Sequence, residues 1–174
     1  MNATLISKAL EIALDAHKGQ VRKSTSIPYI SHPLAVASIA MEYGANQDQV
    51  IAALLHDAIE DGGESYRDII RNNFGEYVLS LVEACTDGTP DATGQKAPWT
   101  ERKTRYLNHL EDVSDDVLLV SGSDKLHNAR AILRDLKVLG ISVFNRFSTS
   151  QEQTIWYYES LSDIFTKRQQ PFAV

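Results

Sequence analysis

The sequence predicts a compact all-α domain. Three observations carry that prediction: apolar residues recur at helical spacing in one segment after another, glycines and capping residues punctuate the segments, and no stretch shows the alternation of a strand. With 174 residues, 43% hydrophobic and 23% charged, the chain can bury a real core and has the balance of an ordinary globular protein. No internal repeat is visible, so a single domain spanning residues 1–174 is expected.

Taken in order, the segment Thr4 to His17 sets Leu5, Ala9, Ile12, Ala13 and Ala16 on one helical stripe, and Gly19 ends it. A polar loop, QVRKSTSIPYI, follows with Arg22, Lys23 and Pro28. In SHPLAVASIAMEYG, Ser31 or His32 is the expected cap, Pro33 suits the first turn and Gly44 the stop. NQDQVIAALLHDAIED reads as one third helix, apolar nearly all round in its middle and therefore central, closed by Gly62 and Gly63. Two short helices, about Tyr66 to Asn72 and Glu76 to Cys85, flank Gly75.

The stretch TDGTPDATGQKAPW has no periodicity, and its composition suits a lid or binding loop and plain disorder equally. TERKTRYLNHL is a charged helix. SDDVLLVSGSDKLHNARAILRDLKVLG is a long one, with Ser114 as its cap, acids in its first turn and Gly140 at its end. The last helix, within STSQEQTIWYYESLSDIFTKR, is expected to bury Ile155, Tyr158, Leu161 and Phe165.

Charge and composition exclude several function classes. A net charge of −6 argues against binding long nucleic acids, while a small anionic substrate needs only a local basic patch or a metal. No apolar run reaches the length of a membrane span, and the N-terminus is too charged for a signal peptide. Cys85 stands alone, so neither a disulfide framework nor a cysteine metal motif is present, and a cytoplasmic location is expected.

Candidate chemistry begins in AALLHDAIEDGG, where an apolar run presents His56, Asp57, Glu60 and Asp61. Ionisable groups in an apolar setting cost several kcal/mol unless paired, protonated or metal-bound. On a helix advancing ~100° per residue, these four side chains fall on one side, within about 140°. A solvated helix end with a hydrogen-bonded histidine is the simplest account of such a cluster, but the flanking IAALL argues against it. His32 alone would be a cap, and Asp124, within VLLVSGSDKL, a salt-bridged acid. Together with His56 and Asp57 they make a nitrogen and oxygen donor set that suits Mn, Fe or Zn.

The order His32, His56-Asp57, Asp124 resembles the H…HD…D signature of the HD-domain metal-dependent phosphohydrolases. The words AHKGQVRKS, PYISHPLAVA, AALLHDAIED and DKLHNAR are similar to those of the hydrolase domain of the RelA/SpoT enzymes and of small stand-alone alarmone hydrolases, from about Ala16 to Leu136. The resemblance implies a helical HD-domain fold with one ion, Mn²⁺ before Fe or Zn, held by His32, His56, Asp57 and Asp124. It implies that Glu60 and Asp61 are the catalytic pair that orients or deprotonates the attacking water, and that Arg22, Lys23 and Asn128 meet the nucleotide. For Arg22 and Lys23 plain surface charge is the alternative. His127 is expected to pack or hydrogen-bond behind the ligands, and His17 and His109 to be structural or exposed.

The implied reaction is removal of the 3′-pyrophosphate of (p)ppGpp, giving GDP and pyrophosphate from ppGpp. The rival readings are an HD phosphohydrolase acting on a nucleoside phosphate or NADPH, a nucleotide-binding regulator without turnover, and an interaction module with a fortuitous cluster. The complete ligand set and the Glu60-Asp61 pair weigh against the last two. The chain departs from the family at Ser121 and Gly122, where a lysine and a small hydrophobe are usual, and at Ala131, often threonine; the metal site is expected to be unaffected, and the substrate pocket around Asp124 is either the family's or an altered one, the first being favoured. No synthetase region follows Val174, so hydrolysis alone is expected; the oligomeric state is left open.

Overall fold

Helix α3, Gln47–Leu55, is the axis on which the other elements are laid in this computed structural model, which describes residues 1–88 and 95–172. Every residue of α3 from Gln49 to Leu55 is buried, as expected of a helix apolar all round. Gln49 is the one polar member, and it is satisfied at both ends. Its side-chain oxygen accepts from the Asn46 amide in a capping box, and its Nε2 donates to Asp116 Oδ1 at 2.7 Å.

Around α3 pack α1 (Ala3–Ala16), α2 (Ser31–Glu42), α5 (Ser65–Cys85) and α7 (Asp115–Leu139), while the short α4 (Ala58–Gly62) bridges α1 and α5. Their apolar faces form one core, which includes Val117 and Val120 of α7. A second core lies where α6 (Trp99–Asp112) and α8 (Gln151–Lys167) meet Leu118 of α7. Helix α7 thus serves both cores, and a 3₁₀ segment, Gly140–Arg146, leads from it toward α8. The described residues form no strand beyond a single bridge between Val21 and Pro28. No helix among them is long and apolar enough to cross a membrane.

The two short helices expected around Gly75 are the two arms of α5: Gly75 sits at φ 88°, which breaks the helix at a conformation that glycine tolerates best. Ser114 caps α7 as expected, accepting from Val117 N. Residues 89–94 of the aperiodic stretch lie outside the described residues.

Three expectations are corrected. The third helix is not continuous, because it stops at Leu55 and resumes as α4, with Asp57 between at φ −100°, ψ −3°. Neither Ser31 nor His32 caps α2; the amides of Ser31 and His32 are taken by the carbonyls of Pro28 and Tyr29, so the turn itself does the capping and His32 is free to face inward. In α8 the buried stripe is Thr154, Tyr157, Leu161, Ile164 and Phe165: Leu161 and Phe165 are buried as expected, but Thr154 and Tyr157 take the places expected of Ile155, which is 42% exposed, and Tyr158. Thr154 tolerates burial because its hydroxyl donates to the Ser150 carbonyl at 2.9 Å.

Candidate active site

The break after Leu55 brings the site together. On a continuous helix His56 and Asp57 would point ~100° apart. With the helix interrupted, Nε2 of His56 and Oδ2 of Asp57 lie 3.0 Å apart. His32, from the first turn of α2, places its Nε2 at 3.2 Å from that of His56 and 3.5 Å from Asp57 Oδ2. Asp124, in the middle of α7, adds Oδ1 at 3.1 Å from His32 and 3.7 Å from His56. Three segments separated in sequence therefore converge, with α2 giving His32, the α3–α4 junction His56 and Asp57, and α7 Asp124.

These spacings fit an ion. Ligand atoms about 2.0–2.2 Å from a common metal, at tetrahedral to octahedral angles, lie roughly 3.0–3.5 Å from one another. The protonation pattern agrees. Nδ1 of His56 faces the Ala53 carbonyl at 2.8 Å and must donate to it, which leaves Nε2 with its lone pair turned inward. Nδ1 of His32 lies 2.7 Å from Nδ1 of His127, and the proton on the His32 side of that bond leaves its Nε2 inward too. Burial pushes His127 down to about 4, with His32 and Arg22 adding to the effect, so it is a neutral acceptor near pH 7.

Two imidazole lone pairs and two carboxylates facing each other need a cation between them. Burial opposes charge on His56, but Asp57 and Asp124 outweigh it and hold its imidazolium well above the ordinary histidine value. Burial likewise opposes ionisation of Asp57, and His56 and His32 overcome it, holding that carboxyl well below the usual range. A proton or a divalent ion answers the same electrostatic demand, and His32, His56 and Asp124 stand close enough together to hold the ion.

A loop from Gln20 to Tyr29 orders the acids. Tyr29 donates its hydroxyl to Asp57 Oδ2 at 2.7 Å, and Gln20 donates Nε2 to Asp61 Oδ2 at 2.9 Å. Arg22 donates to Asn128 Oδ1 at 2.7 Å, and Asn128 in turn donates to Asp124 Oδ1 at 2.6 Å. His17, expected to be structural or exposed, is buried under Tyr29 with its Nδ1 2.8 Å from Gln20 Oε1; His109 is exposed.

Glu60 and Asp61 lie on the turn beyond Asp57 and take different partners. Lys96 donates to Glu60 Oε1 at 2.5 Å, whereas Asp61 meets Gln20 and has His17 at 3.7 Å. Burial pushes the Glu60 carboxyl up and Asp87 adds to the effect, while Lys96 pulls it partly back.

Beside the metal cluster opens a cleft of about 390 Å³. Its walls carry six cations, Arg22, Lys23, Lys103, Lys125, Arg134 and Arg146, against the single carboxylate of Asp135. In a chain of net charge −6 this is the local basic patch that an anionic substrate needs. Asn128, Ala131 and Tyr29 line it as well. Ser121 and Gly122 do not, contrary to expectation: Ser121 Oγ is 2.8 Å from the Tyr106 hydroxyl, and Gly122 is covered by the Phe172 ring, which a β-carbon would meet at 2.4 Å. Only Ala131, of the three departures, touches the cleft.

Sequence reasoning missed Gln20, Tyr29, Lys96, Lys103, Lys125 and Arg146. The words AHKGQ and PYISHP contain the first two, but nothing in their spacing connects them to acids some thirty to forty residues away.

The family model described as "HD domain" matches residues 9–151. Among curated proteins, the guanosine-3′,5′-bis(diphosphate) 3′-pyrophosphohydrolase MESH1 of Xenopus tropicalis is 40% identical over 139 residues, which cover 78% of this chain and 72% of that protein. The bifunctional (p)ppGpp synthase/hydrolase SpoT of Escherichia coli K12 is 35% identical over 129 residues; the match covers 73% of this chain but 18% of SpoT. Among solved structures, a metazoan SpoT orthologue described as hydrolysing ppGpp superposes with a TM-score of 0.72 at 25% identity, over 97% of both chains. The crystal structure of lmo0812 from Listeria monocytogenes EGD-e superposes with a TM-score of 0.69 at 29% identity, over 86% of this chain and 90% of that one.

Proposed function

The chain belongs to the HD-domain family, and from that premise we propose that residues 1–174 act as one metal-dependent unit that hydrolyses guanosine-3′,5′-bis(diphosphate) to GDP and pyrophosphate. The observation that carries the reading is the cluster of His32, His56 and Asp124, with Asp57 against both histidines, beside a cleft of six cations. The activities named for the relatives support it.

In this reading His32, His56, Asp57 and Asp124 hold the ion; their mixed nitrogen and oxygen donors suit Mn, Fe or Zn, and Mn²⁺ is taken from the family resemblance. A divalent ion held there supplies Lewis acidity toward a phosphoryl oxygen and toward the attacking water. Glu60, with a carboxyl raised toward neutrality, accepts the proton that the water gives up, and Asp61, held by Gln20, orients the water. The water oxygen bonds to the phosphorus next to the ribose 3′-oxygen; the bond from that phosphorus to the 3′-oxygen breaks, and the oxygen leaves as a hydroxyl after taking a proton. Arg22 and Lys23 offset the charge of the bound nucleotide, and Asn128 ties Arg22 to Asp124, so that substrate binding and the metal centre share one hydrogen-bonded chain.

The test is a nucleotide panel assayed with Mn²⁺ for released phosphate and pyrophosphate. ppGpp is expected to yield GDP and pyrophosphate, and Arg22→Ala to raise KM chiefly, since it removes binding common to ground and transition states. A Mn²⁺-loaded protein that ignores ppGpp at millimolar concentration but hydrolyses NADPH or a nucleoside phosphate would assign the rival specificity.

The Lys96 contact makes a separate prediction. A general base must be ionised, so kcat/KM falls on the acid side as pH drops through the Glu60 pKa. Lys96 lowers that pKa, so Lys96→Met is expected to raise it and move the acid limb to higher pH. An unmoved limb in the pH profile of the variant would show that another group governs it.

A further inference from the structure

His17 is buried close to Asp61, and the reaction as described does not use it. The turn after α1 sets it there. Gly19, at φ 74°, folds the chain back so that the Gln20 amide donates to the His17 carbonyl at 3.0 Å, and the Tyr29 amide donates to the Gln20 carbonyl at 2.9 Å. His17 is 4% exposed, and its ring packs against that of Tyr29 at a centroid distance of 4.6 Å. The Tyr29 hydroxyl is committed to Asp57, so the imidazole lies against a side chain that is itself held.

Between the imidazole and Asp61 stands the Gln20 side chain, whose amide has a donor end and an acceptor end of nearly the same shape. An ionised carboxylate only accepts, so Nε2 must be the end that meets Asp61 Oδ2, at 2.9 Å, and Oε1 the end that meets His17 Nδ1, at 2.8 Å. Nδ1 therefore donates. Nε2 of His17 is buried with no hydrogen-bond partner among the described residues, where a proton would be a donor without an acceptor. Both sides of the ring thus call for the Nδ1–H tautomer. Asp61 has 26% of its side chain exposed and lies 3.7 Å from Nδ1, beyond hydrogen-bond reach, so the imidazole acts on it through Gln20.

We propose that His17 is a positioning residue for the hydrolysis: its Nδ1–H fixes the Gln20 amide in the one orientation that donates to Asp61, and so keeps that carboxylate aimed at the water. A ring with its proton on Nε2 would turn the amide over, bring Oε1 against the carboxylate and release Asp61 to solvent. The part played by Asp61 rests on the proposed function; the tautomer of His17 and the orientation of Gln20 do not.

Heteronuclear NMR of the imidazole nitrogens in the full, metal-free chain shows which nitrogen of His17 carries the proton, with His17→Asn used to assign its signals. A proton on Nδ1 is expected; a proton on Nε2 alone overturns the proposal whatever the protein hydrolyses. His17→Phe keeps a ring against Tyr29 but has no donor, and is expected to lower kcat about tenfold or more, with KM within about twofold and metal content unchanged, the cost of a misaimed group. His17→Asn, whose Nδ2 is bonded to Cγ as Nδ1 is, should recover most of that loss. Gln20→Met is expected to lower kcat as much as His17→Phe does, and the double variant no further, since both cut one chain of hydrogen bonds. Gln20→Met also keeps the test open if melting curves show that His17→Phe does not fold. Rates are taken with Mn²⁺ on ppGpp or on whichever nucleotide of the panel is hydrolysed, so a different substrate leaves the test intact. An unchanged kcat, a loss that falls on KM or metal content, a loss that His17→Asn shares in full, or losses that multiply in the double variant overturn the proposal. If no nucleotide is hydrolysed the proposed function falls, and the NMR result still decides the orientation of Gln20.

Discussion

His56→Ala and Asp124→Ala are expected to strip the protein of its divalent ion and abolish hydrolysis, with metal content and rate falling together. Each removes one of the four proposed donors, in which the two histidines lie 3.0 to 3.7 Å from the Asp57 and Asp124 oxygens, and three remaining donors leave an open, weakly held ion. Loss of a partner one shell further out already costs roughly 10–100-fold in metal affinity or activity, so loss of a ligand is expected to cost more. The two variants should differ in stability. Asp124→Ala leaves the ammonium of Lys125, 13% exposed, without its carboxylate, and breaking a buried pair from one side costs about 3–5 kcal/mol. His56→Ala leaves a cavity and removes a group that is itself costly to charge when buried, so it is the cleaner probe. Metal analysis, turnover and thermal melting on both variants check this. Full turnover by a chelated, metal-free preparation of the unaltered protein would sink the metal-dependent reading.

Glu60→Gln is expected to separate what the ligand variants combine. The amide keeps the size of the side chain and can still accept from Lys96, but it cannot take a proton from water. General acid–base contributions run at about 10²–10⁴-fold, so turnover should fall by that order. Metal content should not change, because the Glu60 carboxylate is bound to Lys96 and is not one of the four donors. If the substitution strips the ion instead, Glu60 belongs with the ligands and the division of roles proposed for the acids is wrong.

How much of this could be read in advance depends on the range of the interaction. Helix positions are set locally, so Gly19, Gly44, Gly75 and Gly140 stand at positive φ where the segments were expected to end or break. The phase of a helix is less well determined. In α8 the stripes Ile155-Tyr158-Leu161-Phe165 and Thr154-Tyr157-Leu161-Ile164 have nearly the same period, and hydropathy favours the first. Thr154 tolerates burial because the Ser150 carbonyl one turn earlier accepts its hydroxyl, which hydropathy does not register.

The sequence by itself determined the all-α class, the order of the helices and the presence of an adjacent His56-Asp57 pair in a buried segment, because periodicity, glycine punctuation and neighbouring residue types are properties of short stretches of chain. Tertiary structure alone decided which groups share a space. It broke the helix at Asp57 so that two neighbouring side chains meet at 3.0 Å, closed Ser121 and Gly122 away from the cleft beneath Tyr106 and Phe172, and gathered Arg22, Lys103, Lys125 and Arg146 around one cavity. Along the chain Lys103, Lys125 and Arg146 are ordinary solvated charges. They join Arg22 in one basic cleft only where the tertiary fold brings like charges together against the Coulomb cost of their proximity, and no local pattern records that convergence.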